Sequence, residues 1–506
     1  MAGRFGILSL ATLATLALAG CSDRRDLPTA AAETYGTIAA LDEGPTMVDP
    51  RLAVRTVVSG LTTPVAMAFL GANDFLVTEK NTGRVKRVVN GAVAGVVLDL
   101  AVNFASERGL LGIALDPQFP ASPFVYLYWT MSTTGVDDGA LANVPLLGNR
   151  VDRFVWNGST LTFDRNLVQL RAFQADAGQP LRGNHDGGVI AFGSDGKLYV
   201  FIGDNGRRGN LQNLRCGPTN RYDCPPGTPV PDDQFGGPAP DDAHLTGVVL
   251  RLNPDGTTPT DNPFFAAGAM IGGETGAVVR KIFSYGHRNA IGMAFDPESP
   301  NLWLAENGDD SFSELNRVER GMNGGWVQIM GPVSRIAQFK AIETTPPFVG
   351  LQQIRWPPEN IASTPEEALS RLFMLPGAHY SDPEFSWKFE VAPGGIGFIA
   401  GRALGPQYDG DLVTGAARFT LLGGQLFRFN LTGNRRQVGV DDPRLEDRVA
   451  DNLAKFEITE SETLLFGTNF GVATDIRTGP NGNLYVVSNA VSATDFSGAV
   501  YEIYRR

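Results

Sequence analysis

A short unit recurs along the chain: an apolar strand, a turn rich in Gly, Asn, Asp or Pro, and a second apolar strand. Its copies occupy residues 66–88, 111–130, 189–204, 292–309 and 475–491. The alternation of apolar and polar residues and the turn chemistry predict a β-hairpin at each copy. A single hairpin cannot bury both faces, so such repeats stack around a common axis. The sequence therefore predicts an all-β fold: a six-bladed β-propeller of four-stranded antiparallel blades with long loop insertions.

Strands at the two ends of the repeat region can close this ring. We expect "RLAVRTVVSGL" (51–61) to pair with "GAVYEIYRR" (498–506). The 60 glycines and 33 prolines suit many turns and exclude a helical bundle. The longest insertions are 131–180, 205–245 and 330–375. The last contains "STPEEALSRLFML", which predicts a short helix capped by Ser363 or Thr364.

The N-terminal segment has the features of an export signal. "MAGRFGILSLATLATLALAGC" has a basic residue, an apolar run and small residues before Cys21. The ending resembles a bacterial lipobox, which predicts cleavage and acylation at Cys21; the alternative is a plain signal peptide that happens to contain a cysteine. Ser22 follows, so we expect a lipoprotein in the outer membrane, facing the periplasm. The predicted organisation is a signal at 1–21, a flexible tether at 22–50 and the propeller at 51–506.

Cysteine and charge add two expectations. Cys216 and Cys224 enclose a short polar loop, "CGPTNRYDC", and export favours their pairing as a disulfide. The formal charge of −12 argues against a nucleic-acid partner. No later segment is apolar for long enough to span a bilayer. The membrane is therefore expected as a partner only through the lipid anchor.

Three polar loops follow or precede apolar strands and contain residues that can titrate or chelate. They are "GNHDGG" (183–188), "IGDNGRRGN" (202–210) and "SYGHRNAIG" (284–292), and "AENGDDSFSELNRVERGMNGGW" (305–326) extends the third. Loops of several blades meet at the central mouth of a propeller. There, His185, one of only four histidines in the chain, could serve as a base, or it could be an ordinary polar loop residue.

With these motifs the sequence resembles a known family, the soluble quinoprotein glucose and aldose sugar dehydrogenases, or glucose/sorbosone dehydrogenases. The resemblance covers roughly residues 52–505. It is carried by "GLTTPVAMAFL", "RGLLGIALDPQF", "NHDGGVIAFGSDGKLYVFIGD", "GVVLRLNPDGTTPTDNPF", "YGHRNAIGMAFDP" and "GMNGGW". It implies a six-bladed propeller that uses pyrroloquinoline quinone (PQQ) and calcium to oxidise sugars.

The resemblance also implies roles for individual residues. His185 matches the catalytic base, and Asp204 matches the carboxylate that supports it. Arg288, a catalytic residue by this match, and Asn289 fall beside the quinone, where the arginine pairs with developing negative charge. The remaining matches are the cofactor-binding positions Glu107 (a glutamine in the family) and Arg418 (a lysine), and the calcium ligands Gly308 and Asp309 (a proline).

The sequence departs from the family near its C-terminus. PQQ carries three carboxylates, so its pocket needs cations. Val472 and Thr474 stand where the family has arginines, and Arg477 has the wrong strand parity to replace them.

The resemblance and these departures together leave two functions open. One is a PQQ-dependent sugar dehydrogenase acting on CH–OH groups and passing electrons to a periplasmic acceptor. The other is a propeller that lost PQQ and binds carbohydrate or protein as a lipoprotein, or hydrolyses a substrate with a metal.

Each candidate residue also has a structural interpretation. His185 could be a turn histidine that satisfies local backbone groups, and Arg288 could bridge two blades. "NGDDSFSE" could be a solvated acidic turn. His244, His287 and His379 are expected to be structural or exposed, whereas Glu306, Asp310 and Glu314 fit either a charged loop or a second metal site.

Overall fold

Antiparallel hairpins dominate the computed structural model, which describes residues 44–173, 183–206, 245–345, 361–416, 424–489 and 497–506. In chain order, the first strands are β1 (Thr46–Met47), β2 (Leu52–Thr62), β3 (Pro64–Gly71), β4 (Asp74–Glu79), β5 (Arg84–Val89), β6 (Ala92–Asp99), β7 (Leu110–Leu115), β8 (Phe124–Thr130), β9 (Asn149–Trp156), β10 (Leu161–Leu170), β11 (Ile190–Phe192), β12 (Leu198–Ile202), β13 (Val248–Leu252), β14 (Ile282–Tyr285) and β15 (Ala290–Phe295). They continue with β16 (Leu302–Glu306), β17 (Ser311–Val318), β18 (Met322–Asn323), β19 (His379–Tyr380), β20 (Phe385–Phe389), β21 (Pro393–Phe398), β22 (Leu412–Ala416), β23 (Gln425–Phe429), β24 (Leu431–Thr432), β25 (Gln437–Val438), β26 (Val449–Ala450), β27 (Leu465–Thr468), β28 (Ala473–Thr478), β29 (Leu484–Ser488) and β30 (Ser497–Arg505). Every hairpin predicted from the repeat unit is present.

These strands form large sheets that follow one another along the chain, and among the described strands β24 and β25 form a separate pair. The first large sheet is β3-β4-β5-β6, and the second is β7-β8-β9-β10. The third is β11-β12-β13-β14-β18-β19, and the fourth is β15-β16-β17-β20-β26. The fifth is β21-β22-β23-β27-β1, and the sixth is β28-β29-β30-β2.

The ring closes as the sequence predicts. Strand β2 runs antiparallel to β30, with Leu52 opposite Arg505 and Thr56 opposite Tyr501. The N-terminal strand is thus built into the sheet formed by the C-terminal strands. The Met67 amide also donates to Asp475 Oδ2 over 2.9 Å, which links the first and sixth large sheets. The two ends of the chain therefore hold the ring together.

The core lies between consecutive sheets. Leu76 and Leu127 belong to an apolar cluster between the first and second sheets. Val77 and Val487 belong to another cluster, between the first and sixth. Neighbouring residues of β4 therefore face opposite cores, as the two-residue period of a strand requires. Because both faces of a sheet are covered in this way, central strands such as β12 are buried at every residue.

The innermost strand of each large sheet contributes to a narrow, mostly apolar central channel. Its lining includes one residue from each of these strands in turn: Ala66, Ile113, Ile190, Met293, Ile396 and Thr474. The loops that enter or leave these strands therefore meet around one axis, and this is where a shared site can form.

The structure confirms the coarser prediction, an all-β, propeller-like fold. The prediction of four-stranded sheets throughout is wrong. The third, fourth and fifth large sheets gain short strands, such as β18, β19, β26 and β1, from insertions and from the N-terminal segment. Several of these strands pair parallel to their neighbours, so their pairing is set by tertiary contacts and not by hairpin turns.

Helices are few and short: α1 (Phe265–Ile271), α2 (Gly273–Val279), α3 (Ile336–Thr344) and α4 (Pro365–Ser370). The hydroxyl of Thr364 accepts the Glu367 amide over 3.2 Å and caps α4, which settles the predicted choice of cap. None of the helices in the described ranges is long and apolar enough to cross a membrane.

Some predicted residues lie outside the described ranges. They are the signal and most of the tether with Cys21, the cysteines Cys216 and Cys224, and the residues Arg418 and His244. The acylation and the disulfide therefore stay predictions.

Candidate functional site

The candidate residues lie in loops at one edge of the sheets. In an antiparallel hairpin, the start of the first strand and the end of the second lie at the same edge. Glu107 precedes β7, His185 precedes β11, Asp204 follows β12, Arg288 and Asn289 precede β15, and Gly308 and Asp309 follow β16. Hairpin topology thus puts these residues at one edge of their sheets, and the arrangement of the sheets around one channel brings residues that are distant in sequence close together.

His185 and Asp204 form a buried pair. The imidazole Nδ1 lies 2.6 Å from Asp204 Oδ1, and both side chains are inaccessible to solvent. The same Asp204 oxygen accepts the Gly206 amide over 2.7 Å, and its other oxygen accepts the Trp326 indole N–H over 2.8 Å. When Nδ1–H of a neutral imidazole donates to the carboxylate, Nε2 carries the lone pair. The pair therefore has the form of an oriented general base.

The charge state of Asp204 follows from its surroundings. Burial raises the pKa of this carboxyl, but His185, Arg288 and the Trp326 hydrogen bond outweigh burial and lower the pKa to about 2. Asp204 is therefore ionised at neutral pH and stabilises a positive charge on His185.

The backbone around His185 is closely constrained. His185 has φ +58°, in the left-handed region that a non-glycine residue rarely adopts. A Cβ at Gly203 would lie 2.5 Å from the His185 carbonyl oxygen and 2.7 Å from that of Arg288. Glycine at position 203 therefore allows the His185, Asp204 and Arg288 loops to approach each other. Strained positions of this kind concentrate at functional sites.

Arg288 is fixed on several sides. Its guanidinium donates to the Asn307 carbonyl over 3.0 Å and to Asp309 Oδ1 over 3.1 Å, and it lies 5.5 Å from the centre of a Trp326 ring. Its carbonyl accepts the Asp204 amide over 2.8 Å. The arginine thus connects the Asp204 loop to the loop at 307–309.

Glu107 joins two of the other loops. Its Oε2 accepts the His185 amide over 3.0 Å and the Asn289 side-chain amide over 2.9 Å. The carboxylate therefore fixes the spacing between the His185 loop and the Arg288–Asn289 loop.

We expect Glu107→Ala to lower the free energy of unfolding by about 1–3 kcal/mol, because two donors in the packed site lose their acceptor. Glu107→Gln should cost less, since its amide oxygen can still accept both hydrogen bonds. Urea unfolding of the two variants measures the difference. Equal losses in both variants would show that the negative charge of Glu107 matters, and not its position as an acceptor.

Several buried polar atoms beside the pair have no hydrogen-bond partner among the described residues. They are both side-chain amide atoms of Asn205 and Oδ1 of Asn289. Buried polar atoms are nearly always hydrogen-bonded in native proteins. A polar small molecule bound beside the pair would supply hydrogen-bond partners for these atoms.

The C-terminal segment adds no positive charge at the two positions where the family has arginines. Val472 packs against Ala392 and Phe456 in a small apolar cluster. The Thr474 hydroxyl donates to the Val487 carbonyl over 3.3 Å. Arg477 donates to Asp475 over 2.9 Å, so its positive charge is paired with a carboxylate of the same strand.

The other histidines and acidic residues have structural contacts. His287 is buried between Glu306 and Ser284, and His379 pairs with Glu319 at a partly exposed position, as the sequence predicts. Glu306 also accepts the Arg288 amide. Within the described ranges, no group of three or more His, Cys, Asp or Glu side chains is arranged to hold a metal ion.

Three residues of this region had no predicted role: Trp326, Asn205 and Lys455. Trp326 lies in the quoted motif "GMNGGW", which was the signal available for it. Lys455 lies in a loop with no motif, and its ammonium reaches Asp310 over 2.7 Å across a separation of 145 residues.

Comparison with known proteins identifies the family. A model of the family described as Glucose / Sorbosone dehydrogenase matches residues 61–335, more than half of the chain. The chain belongs to this family. The match includes every predicted site residue from Glu107 to Asp309, whereas Val472, Thr474 and Lys455 lie beyond it.

Two relatives named as dehydrogenases are moderately similar to this glucose/sorbosone dehydrogenase family member in sequence. Quinoprotein glucose dehydrogenase B of Acinetobacter calcoaceticus is 32% identical over 282 residues, covering 55% of this chain and 52% of the relative. An aldose sugar dehydrogenase of Escherichia coli K12 is 25% identical over 431 residues, covering 85% of this chain and 88% of the relative. The structure of the PQQ-bound aldose sugar dehydrogenase of Streptomyces coelicolor, at 23% identity, has a TM-score of 0.53 and covers 89% of this chain and 98% of its own. This last similarity supports the fold.

Proposed function

We propose that this protein is a PQQ-dependent dehydrogenase of aldose sugars or related alcohols, with His185 as its general base. The observation that carries the proposal is the buried His185–Asp204 pair, which is connected through Arg288, Asn289 and Glu107 into one hydrogen-bonded site. Family membership and the names of the relatives agree with this assignment.

The site residues fit a quinone cofactor on chemical grounds. Asn205 and Asn289 have buried amide atoms that need hydrogen-bond partners, and the oxygen and nitrogen atoms of a bound quinone such as PQQ would supply them. When bound, PQQ would supply the oxidant that takes up the two electrons of a sugar C–H bond as hydride. Arg288 and Asn289 would hold it beside His185.

The chain's own residues would handle the proton. As the C–H bond of the sugar breaks, its hydroxyl loses a proton, and Nε2 of His185 is the acceptor. Asp204 keeps the imidazole oriented and stabilises the imidazolium that forms. Trp326 holds the second oxygen of Asp204 and packs beside Arg288, so it helps to keep water from the pair. A periplasmic electron acceptor would then reoxidise the cofactor.

The residues at the predicted calcium position fit a bound calcium ion less well than the site fits the quinone. The resemblance implies calcium ligands at Gly308 and Asp309, but the Asp309 carbonyl accepts a hydrogen bond from Lys455 and the Asp309 carboxylate pairs with Arg288. The proposed activity therefore assigns no step to calcium.

A binding function without PQQ is the second candidate, and the observation in its favour is the uncharged packing of Val472 with Phe456. A dye-reduction assay of purified protein loaded with PQQ distinguishes the two functions. A dehydrogenase should reduce a dye only when an aldose is added, across a panel of sugars. Sugar binding by calorimetry, with no dye reduction, would support the binding function and reject the enzyme.

The same proposal assigns one blade to each of the six large sheets, because each supplies an innermost strand to the channel. With one blade for each large sheet, Glu107, His185 and Arg288 would lie in the loops of three consecutive blades. Loops from consecutive blades can then enclose one ligand.

Export and lipid anchoring are proposed from the sequence. If Cys21 is acylated, Cys21→Ser should move the protein from the membrane fraction to the soluble periplasmic fraction of the expressing bacterium. Fractionation and mass analysis of the N-terminus measure this. A wild-type protein that is already soluble with an unmodified N-terminus would contradict the anchor.

A further inference from the structure

The loop after β26 places a lysine against the loop at 308–310. Lys455 Nζ donates to the Asp309 carbonyl over 3.1 Å and to Asp310 Oδ1 over 2.7 Å. An ammonium has three donors, and these contacts use two of them. Lys455 therefore binds the same segment that the family resemblance gives to calcium.

The lysine loop is held in place by its neighbours. The amide of Phe456 donates to the Glu390 carbonyl over 2.7 Å, and its side chain packs against Ala392 and Val472. The side-chain amide of Asn452 donates to three backbone carbonyls, including that of Phe389. The apolar contact of Phe456 with Val472 thus helps to anchor the loop that carries Lys455.

Lys455 is one of two cations that face the carboxylates of this segment, because its ammonium lies 2.7 Å from Asp310 Oδ1. From the adjoining loop, Arg288 pairs with the Asp309 carboxylate over 3.1 Å. Each of the two carboxylates of this segment, Asp309 and Asp310, is thus already paired with a cation.

We propose that the Lys455 ammonium is the resident cation of the 308–310 segment and that it takes the place of calcium in this chain. Calcium needs six to eight oxygen ligands at about 2.3–2.6 Å. Here the Asp309 carbonyl and one oxygen of Asp310 are committed to Lys455, and the Asp309 carboxylate is committed to Arg288. A divalent ion would have to displace Lys455 and lie close to Arg288. The remaining N–H of Lys455 can serve an anionic ligand, and this last role rests on the proposed function.

The test compares calcium binding by the purified full chain and two lysine variants. Lys455→Ala removes the proposed cation. Lys388→Ala is a matched control, because Lys388 has a similar exposure, 24% against 20%, and pairs with the surface residue Asp451. Calorimetric titration with CaCl₂ and thermal unfolding with and without CaCl₂ are measured for all three proteins, without PQQ.

We expect wild type and Lys388→Ala to bind no calcium tightly and to shift in Tm by less than about 1 °C. Lys455→Ala should gain calcium-dependent stabilisation of about 2–5 °C, because the oxygens of Asp309 and Asp310 become available. If Lys455→Ala fails to fold, Lys455→Gln, which removes the positive charge but keeps an N–H donor on a side chain one atom shorter, replaces it.

Tight, stoichiometric calcium binding by wild type would overturn the proposal, as would a Lys455 variant that gains no calcium response. These readouts do not use sugar oxidation. A protein that binds no calcium but also reduces no dye would retain the lysine assignment while the enzyme proposal fails.

Discussion

His185→Ala is expected to lower sugar-dependent dye reduction by about 10²–10⁴-fold, the usual effect of losing a general base. The reason is that Nε2 of this imidazole is the proton acceptor and Asp204, its partner, cannot reach the same position. The measurement is kcat/KM with PQQ-loaded protein, together with a thermal unfolding curve.

His379→Ala is the matched control for this loss. His379 pairs with Glu319 at a partly exposed position away from the His185 network, so its removal should leave kcat/KM unchanged. Equal activity of wild type and His185→Ala would remove His185 from the mechanism. An equal loss in both variants would point to a general effect on the fold.

Asp204→Ala is expected to destabilise the protein by about 3–5 kcal/mol, the usual result of removing one partner of a buried ion pair. Asp204 accepts three hydrogen bonds, from His185, Gly206 and Trp326, and all three donors would be left buried. Urea unfolding at neutral pH measures the loss. Asp99→Asn, which alters an exposed pair with Arg84, should change stability by less than about 1 kcal/mol.

This stabilisation depends on pH in a defined direction. The pKa of Asp204 is about 2 in the folded protein, below the value near 3.9 expected for an unfolded chain. Its contribution is therefore fully present above about pH 4 and is lost as the pH falls towards 2. The stability difference between wild type and Asp204→Asn should shrink between pH 5 and pH 3. A difference that stays constant over this range would contradict the lowered pKa.

Local sequence patterns predicted most of the fold. Turn residues and alternating apolar residues define the hairpins, and the edge strands at both chain ends define the closure between β2 and β30. The added strands β18, β19 and β26 were not predicted. They are two residues long and pair parallel to distant strands, so no turn or period marks them.

The part of the site that sheet topology and sequence motifs determine was predictable from the sequence. Hairpin edges bring His185, Asp204 and Arg288 together, and their loops carry recognisable motifs. Lys455 and Phe456 could not be found in this way, because their contacts join a loop without a recognisable motif to residues far away in the chain. The resemblance puts an arginine at position 472, so the sequence alone indicates the loss of a cation for PQQ. In the structure, Val472 packs against Phe456 and helps to anchor the loop of Lys455.

The most direct test of the proposed function is an absorbance titration of the purified protein with PQQ, followed by addition of an aldose. The account predicts that the quinone spectrum changes on binding, saturates at one equivalent per chain, and converts to the reduced form when the sugar is added. His185→Ala should still give the binding change but should lose the reduction. A wild-type protein whose quinone spectrum does not change on mixing, or changes but is not reduced by any aldose, would contradict the account.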